Sequence, residues 1–120
     1  MKRAAWKKKI SECCREAGTY REYFLPVIET LAGILEQRDA AQQAFDAGGG
    51  ELIVEHTNKG GATNLEQNPL VRLINDLNRD ALAYWKECGL TAAGLKRIDE
   101  NSMKQKKVSP LAEALKELGA

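Results

Sequence analysis

The stretch EHTNKGGATNLEQNPLVRLINDLN, residues 55–78, contains the change from extended to helical chain that decides the fold. It continues from ELIVEHT, which is rich in β-branched and apolar residues and too short for a helix. The NKGG sequence at 58–61 can adopt the positive φ angles of a hairpin turn. Asn68-Pro69 then has the pattern of a helix start, with Asn as the cap and Pro in the first turn. We therefore predict a β-hairpin at about residues 51–67, followed by a helix.

Glycines beside a lysine also raise the question of a phosphate-binding loop. A Walker-type loop requires GxxxxGK[ST] directly before a helix. Here Lys59 precedes Gly60 and Gly61, and the helix begins only at Asn68-Pro69. Because this order is wrong for phosphate binding, the segment is interpreted as a turn.

Two helices are predicted before the hairpin. Apolar residues at helical spacing define the first, which Gly18 ends: Trp6, Ile10, Cys13, Cys14 and Ala17. Thr19 and Glu22 have the spacing of a capping box for the second helix. Pro26 lies inside this pattern, so the helix either kinks there or begins near Leu25. The second helix has a long apolar stripe that stops at three consecutive glycines: Tyr20, Phe24, Val27, Ile28, Leu31, Ile34, Leu35, Ala41 and Phe45.

The helix after Asn68 has a continuous apolar face that Gly89 closes: Leu70, Leu73, Ile74, Leu77, Ala81, Tyr84, Trp85 and Cys88. Thr91 is suited to cap a short helix to Ile98. Residues 99–108 are polar without an apolar period and predict a linker. Ser109-Pro110 restarts a last helix. The predicted fold is mainly α, a helical hairpin or bundle with one small β-hairpin and a short C-terminal helix after a linker. A domain at 1–98 would be followed by the linker and helix at 99–120.

Composition fits one domain that works in the cytoplasm. The chain has 120 residues, 43% of them hydrophobic and 29% charged, which is typical of a globular protein. It contains neither an apolar run long enough to span a bilayer nor the apolar segment of a secretion signal. Its three cysteines, Cys13, Cys14 and Cys88, form no CxxC pair and are interpreted as reduced packing residues.

The residues predict neither a catalytic nor a metal site. His56 is the only histidine, and no cysteine or serine stands near it in a nucleophile–base arrangement. Glu51 and Glu55 would share one strand face, but a solvated strand explains them more simply than acid–base chemistry does. We therefore expect a protein that is not an enzyme and that carries no cofactor.

Basic residues are concentrated in two clusters although the formal net charge is only +1. The first contains Lys2, Arg3, Lys7, Lys8 and Lys9, with no acidic residue before Glu12. The second contains Lys96, Arg97, Lys104, Lys106 and Lys107, and Asp99 and Glu100 dilute it. This asymmetry is typical of a protein with a polyanionic partner.

The block HTNKGGATNLEQNP, followed by NDLNRDALAYWKECGLTAAGLKRI, resembles the signature of phage terminase small subunits. The resemblance covers about residues 20–98, with Cys88 where the family has leucine and Ala92 where it has proline. The matching positions are Thr57, Asn58, Lys59, Gly61, Ala62, Thr63, Asn64, Asn68, Pro69, Asp76, Leu77, Asn78, Gly89, Leu90, Thr91, Ala93 and Gly94.

The resemblance implies a non-catalytic subunit of a viral packaging motor in a bacterial host cell. Its implied partners are viral double-stranded DNA, further copies of itself in a ring, and a large subunit with the ATPase and nuclease. Repeating a basic segment around a ring would multiply weak phosphate contacts. The predicted DNA surface is the N-terminal cluster first, Lys2, Arg3, Lys7, Lys8 and Lys9, and then Lys104, Lys106 and Lys107. The last helix, with Leu111, Leu115 and Leu118, is the predicted contact with the large subunit.

Two other interpretations fit the same residues. A helical adaptor or inhibitor would bind only protein, and its basic ends would be solvated charge. A small transcriptional regulator would use residues 91–98 in a helix-turn-helix, although a helix that short offers few side chains to the bases.

Overall fold

The computed structural model describes the backbone of residues 1–107 and the side chains of residues 1–99. The fold is mainly α with one antiparallel β-hairpin, as predicted. Its elements in chain order are α1 (Arg3–Ala17), a 3₁₀ turn (Glu22–Phe24), α2 (Leu25–Ala47), β1 (Ile53–Thr57), β2 (Thr63–Gln67), α3 (Pro69–Glu87) and α4 (Ala92–Lys107). None of the described helices is both long enough and apolar enough to cross a membrane. The predicted contact residues Leu111, Leu115 and Leu118 lie outside the described residues.

Helix α1 ends in a Schellman motif. Thr19 takes part in this motif, so the predicted capping box of Thr19 and Glu22 at the start of α2 is wrong. Gly18 is left-handed, with φ of 74°, and its N–H donates to the carbonyl of Arg15. The Thr19 N–H donates to the Cys14 carbonyl at 2.8 Å, so Thr19 belongs to the end of α1. Without that cap, α2 begins at Leu25, the second of the two predicted starts, and Pro26 occupies its first turn.

Three helices form the core, which we call the helical body (α1, α2 and α3). α1 lies antiparallel along α2, and α3 packs against α2. The fully buried side chains come from all three helices: Ile10, Cys14, Ile28, Leu31, Ala32, Leu35 and Cys88, with Ala81 almost as buried. Apolar burial of this kind is the main stabilising contribution to a small domain. Trp6, Tyr20, Tyr84 and Trp85 surround this core and are half-buried.

Asn68 joins the helical body to the hairpin. Its Oδ1 accepts a hydrogen bond from the Leu70 N–H at 3.1 Å, which confirms the predicted cap of α3. Its Nδ2 donates to the Glu51 carbonyl at 3.0 Å, and its own N–H donates to the Leu52 carbonyl at 2.8 Å. One side chain therefore starts the helix and closes the base of the hairpin.

The β-hairpin extends away from the helices. Ile53 pairs with Gln67 and Thr57 with Thr63, and Gly61 in the turn has φ of 81°. Every strand residue is exposed except Val54, which is half-buried. The molecule is correspondingly long, measuring 85 × 25 × 21 Å. An isolated two-stranded hairpin is marginally stable in water, and we expected this one to pack on the helices or on another subunit. It does not pack on the described helices.

Helix α4 corrects the predicted linker. Thr91 Oγ1 accepts the Gly94 N–H at 3.0 Å, so the predicted cap is present. The helix then continues past Ile98 to Lys107, through residues that we predicted to be non-helical. Residues 99–107 contain no Gly or Pro, and Glu, Lys, Gln and Met favour helices. A helix needs a periodic apolar face in order to pack against other elements, but not in order to form. The lack of such a face in residues 99–107 was therefore a poor reason to predict a linker.

Candidate nucleic-acid interface

The basic residues of the N-terminal cluster lie on different sides of α1, and only some of them face α2. The Lys7 ammonium contacts Glu29 Oε1 at 2.9 Å, and the Arg3 backbone N–H donates to Glu36 Oε2 at 2.6 Å. The Arg3 guanidinium lies across Gly33, where a methyl group would come within 3.1 Å of it. The hydrogen bond from Lys7, and then its charge, lower the pKa of Glu29. Lys7 therefore pairs with Glu29, and the Arg3 guanidinium lies near the same carboxylate, which weakens the attraction of both residues for an external anion.

Lys2, Lys8 and Lys9 are exposed and form no ion pair within residues 1–99. Lys2 borders a hollow that Glu36 and Asp39 also line, so acids lie near it. The Lys9 ammonium lies 5.6 Å from the centre of the Trp6 ring, within cation–π distance. Lys8 lies elsewhere on α1, next to Lys7 and Arg15. These three lysines are the part of the predicted cluster that remains available to a polyanion.

Lys8 lines an open hollow of about 370 Å³ between α1 and the start of α2. We call it the basic groove, defined by Lys7, Lys8, Arg15, Tyr20 and Leu25. The Arg15 guanidinium lies 4.3 Å from the centre of the Tyr20 ring, which fixes one wall. Sequence reasoning missed Arg15 because Glu12 and Glu16 flank it along the chain. Its spacing of seven residues from Lys8 was the available signal, since such residues share a helix side.

The second basic cluster lies on α4. Lys104, Lys106 and Lys107 are in the final part of that helix, and their side chains lie outside the described residues. Arg97 makes a two-pronged contact with Glu87 of α3, at 3.1 and 3.4 Å. Hydrogen bonds from Arg97, and then its charge, lower the pKa of Glu87. Arg97 therefore links α4 to the helical body.

The hairpin turn does not form a phosphate cradle. Asn58 Oδ1 accepts the N–H groups of Gly60 and Ala62, at 3.0 and 3.1 Å. The Gly61 N–H donates to the Asn58 carbonyl, and the Asn58 N–H to the Ala62 carbonyl. Because these donors bond within the loop, they are not directed at a ligand. The interpretation as a turn is confirmed.

Potentially reactive side chains are dispersed in the described part of the chain. His56 lies on the hairpin with Nδ1 3.7 Å from Glu66 Oε1, and both side chains are exposed. No group of three His, Cys, Asp or Glu side chains among the described residues could hold a metal ion. Cys14 and Cys88 are buried, and burial raises the pKa of the Cys88 thiol to about 12. Such thiols are unreactive, in agreement with their predicted packing role, whereas Cys13 is half-buried.

The residues that carry the family resemblance have structural roles in this fold. Asn58 closes the hairpin turn, Asn68 caps α3 and Thr91 caps α4. Gly94 lies so close to the Lys86 carbonyl that a Cβ there would collide with the backbone of α3. This part of the sequence therefore specifies how the hairpin, α3 and α4 connect.

A family model described as "Phage terminase, small subunit" matches residues 3–105. The chain belongs to the phage terminase small-subunit family. The match spans the helical body, the hairpin and nearly all of α4, so it extends beyond residues 20–98, where the sequence resemblance was recognised. No curated protein and no solved structure matches the chain. As a terminase small subunit, the protein has a role in phage DNA packaging.

Membership of this family also affects the alternative interpretation as a small transcriptional regulator. The short helix at 91–98 was the sequence argument against a helix-turn-helix, and that argument is wrong because α4 continues to Lys107. The family match, which covers most of the chain, replaces it and favours a packaging subunit.

Proposed function

We propose that this terminase small subunit is the DNA-recognition and regulatory component of phage packaging in the bacterial host cell. It has no catalytic role of its own and acts with a large subunit that carries the ATPase and nuclease. The observation that carries the proposal is the family match over residues 3–105. Copies of the chain assemble into a ring. The N-terminal part of each chain provides charged contacts with DNA, and its C-terminal part provides apolar contacts with the large subunit.

The DNA surface is the N-terminal end of α1. Of the five residues in the N-terminal cluster, Lys7 pairs with Glu29 and the Arg3 guanidinium lies against Gly33 near the same acid. Lys2, Lys8 and Lys9 therefore make the main phosphate contacts. Lys104, Lys106 and Lys107 on α4 form a second surface. One copy with a net charge of +1 binds DNA weakly. A ring repeats the contacts, and each one adds to a salt-dependent affinity through counterion release.

A gel-shift series over rising salt tests the DNA surface. We compare the wild type with a Lys2→Ala/Lys9→Ala variant, whose two lysines lie on the same flank of α1 and form no ion pair. The control is Lys59→Ala/Lys86→Ala, which removes two exposed lysines from the hairpin turn and α3. The Lys2/Lys9 variant should lower the slope of log affinity against log salt by about two per contacting copy. The control should leave that slope unchanged.

Equal slopes for both variants would remove Lys2 and Lys9 from the DNA surface. If the wild-type protein retards no phage DNA even at low salt, the protein-binding adaptor would become the better description.

The C-terminal segment docks the large subunit through Leu111, Leu115 and Leu118. These leucines recur at helical spacing and follow a polar stretch of the sequence. The division into residues 1–98 and 99–120 is also part of this proposal, although α4 crosses residue 98 without a break. Removing residues 109–120 should abolish co-purification with the large subunit of the same phage and leave DNA retardation intact. Undiminished co-purification would exclude this segment as the docking site.

A further inference from the structure

The hairpin presents apolar side chains that nothing in the described residues covers. Leu52, Ile53 and Leu65 are 63%, 60% and 73% exposed. In the observed register Ile53 and Leu65 lie on one face, with Glu55 directly opposite Leu65. A ribbon of two short strands gains little from its own pairing, so a contact over this face would stabilise it considerably.

The same ribbon is acidic. Residues 51–67 contain three glutamates, Glu51, Glu55 and Glu66, against one lysine, Lys59, which gives a formal net charge of −2 with His56 neutral. DNA would be repelled by the strands, and a second hairpin would place like charges together. The complementary surface is therefore basic, with an apolar floor.

The basic groove has that character. Lys7, Lys8 and Arg15 line it, no carboxylate does, and Tyr20 and Leu25 provide apolar surface. Lys7 is partly neutralised by Glu29, whereas Lys8 and Arg15 form no ion pair within residues 1–99. Three other hollows differ from it: those beside Gly33 and Asp39 are lined by carboxylates, and the one beside Trp85 has no charged residue.

The groove and the hairpin lie at opposite ends of α2. Leu25, the first residue of α2, lines the groove, and the hairpin follows the end of α2 after Ala47. A helix of 23 residues spans roughly 33 Å, so a chain cannot place its own hairpin in its own groove. A second copy can, because each copy offers one hairpin and one groove.

We propose that the hairpin of one copy docks in the basic groove of the next copy. This inference rests on the self-association proposed above and names the surfaces that produce it. Glu55 faces the cations Lys8 and Arg15, and Leu65, on the same face of the hairpin, covers Tyr20 and Leu25. Glu66, on the other face, adds to the negative charge of the hairpin. Such a head-to-tail contact is heterologous, so it closes into a ring when the rotation per copy divides a full turn. In the assembled protein Lys8 therefore makes the protein contact instead of a phosphate contact, and Lys2 and Lys9 keep the DNA contacts proposed above.

Complementary charge reversals test the contact. One variant, Glu55→Arg/Glu66→Arg, makes the hairpin basic, and the other, Lys8→Glu/Arg15→Glu, makes the groove acidic. Each variant alone should fall from the mass of the wild-type assembly to the 13.3 kDa of one chain, as measured by light scattering. An equimolar mixture should again form assemblies much heavier than one chain, since each variant's hairpin then matches the other's groove. Reversals of the same size elsewhere, Asp46→Arg/Asp80→Arg and Arg72→Glu/Lys86→Glu, are the controls and should remain assembled.

Restoration in the mixture also shows that both variants are folded. Variants that keep the wild-type mass, or that stay single in the mixture, would overturn the docking contact alone and leave self-association standing. A wild-type protein with a mass of 13.3 kDa would overturn self-association and the docking contact together. DNA retardation, measured separately on the same samples, reports on the proposed DNA surface whichever result is found.

Discussion

The helical body and the hairpin place similar side chains in opposite environments. Leu31 of α2 is fully buried among three helices, whereas Leu65 of β2 is 73% exposed. The helical body buries most of its apolar side chains, although Leu73 and Leu82 of α3 are 46% and 61% exposed. The hairpin has no buried apolar side chain. The helical body therefore provides most of the packing stability, and the hairpin provides the exposed surface on which the proposed docking contact rests.

The largest contrast should come from truncating these two leucines. Leu31→Ala removes a fully buried side chain and should lower the free energy of unfolding by about 2–5 kcal/mol, because it leaves a cavity. Leu65→Ala should change it by less than about 0.5 kcal/mol in the dissociated protein. Urea unfolding followed by far-UV circular dichroism, at concentrations where the protein is a single chain, measures both. Equal losses would mean that the hairpin packs on the helical body in solution.

A glycine pair should give the next largest contrast. Gly94→Ala forces a Cβ against the Lys86 carbonyl, so α4 must shift away from α3, at a cost of about 1–3 kcal/mol. Gly60→Ala in the hairpin turn has only the Asn58 side chain within reach, at 3.4 Å, and should be nearly neutral. Thermal unfolding midpoints of the two variants provide the test. If Gly94→Ala keeps the wild-type midpoint, the close contact between α3 and α4 is absent in solution.

Acid should affect the helical body more than the hairpin through Asp39. Burial raises the pKa of this carboxyl, but hydrogen bonds from the Met1 amino group, Trp6 and Arg38 outweigh burial and leave the pKa lowered. A lowered pKa contributes stability that is present above the ordinary value of about 4 and is lost as the pH falls through the folded value. Asp39→Asn should therefore reduce the stability that is lost between pH 6 and pH 3. This change should be smaller than those expected for Leu31→Ala and Gly94→Ala.

The measurement for Asp39 is the urea midpoint at both pH values. Glu55→Gln is the matched control, because its carboxylate lies on the exposed hairpin, and it should lose as much stability in acid as the wild type does. An Asp39→Asn profile parallel to the wild type would show that ionisation of Asp39 adds nothing to the stability of the fold between pH 3 and pH 6.

The candidate DNA surface was predictable only in part. The sequence identified Lys2, Lys8 and Lys9 because they are close together in the chain. It could not show that Glu29 and Glu36 would approach Lys7 and Arg3, since those acids belong to another helix. Arg15 was missed because Glu12 and Glu16 flank it in the sequence, and because Tyr20 and Leu25 complete its groove only across a turn.

Local chemistry let the sequence determine where most elements begin and end. Asn68 caps α3, Thr91 caps α4 and the turn at 58–61 closes the hairpin, because each of these contacts joins residues within four positions. The tertiary structure decided the rest. It placed Thr19 in the end of α1 and brought acidic residues of α2 close to Lys7 and Arg3. It also left the hairpin uncovered by residues 1–99. Those outcomes depend on which helices pack together. The packing energy is shared among residues that are distant in the sequence, so no single segment determines it.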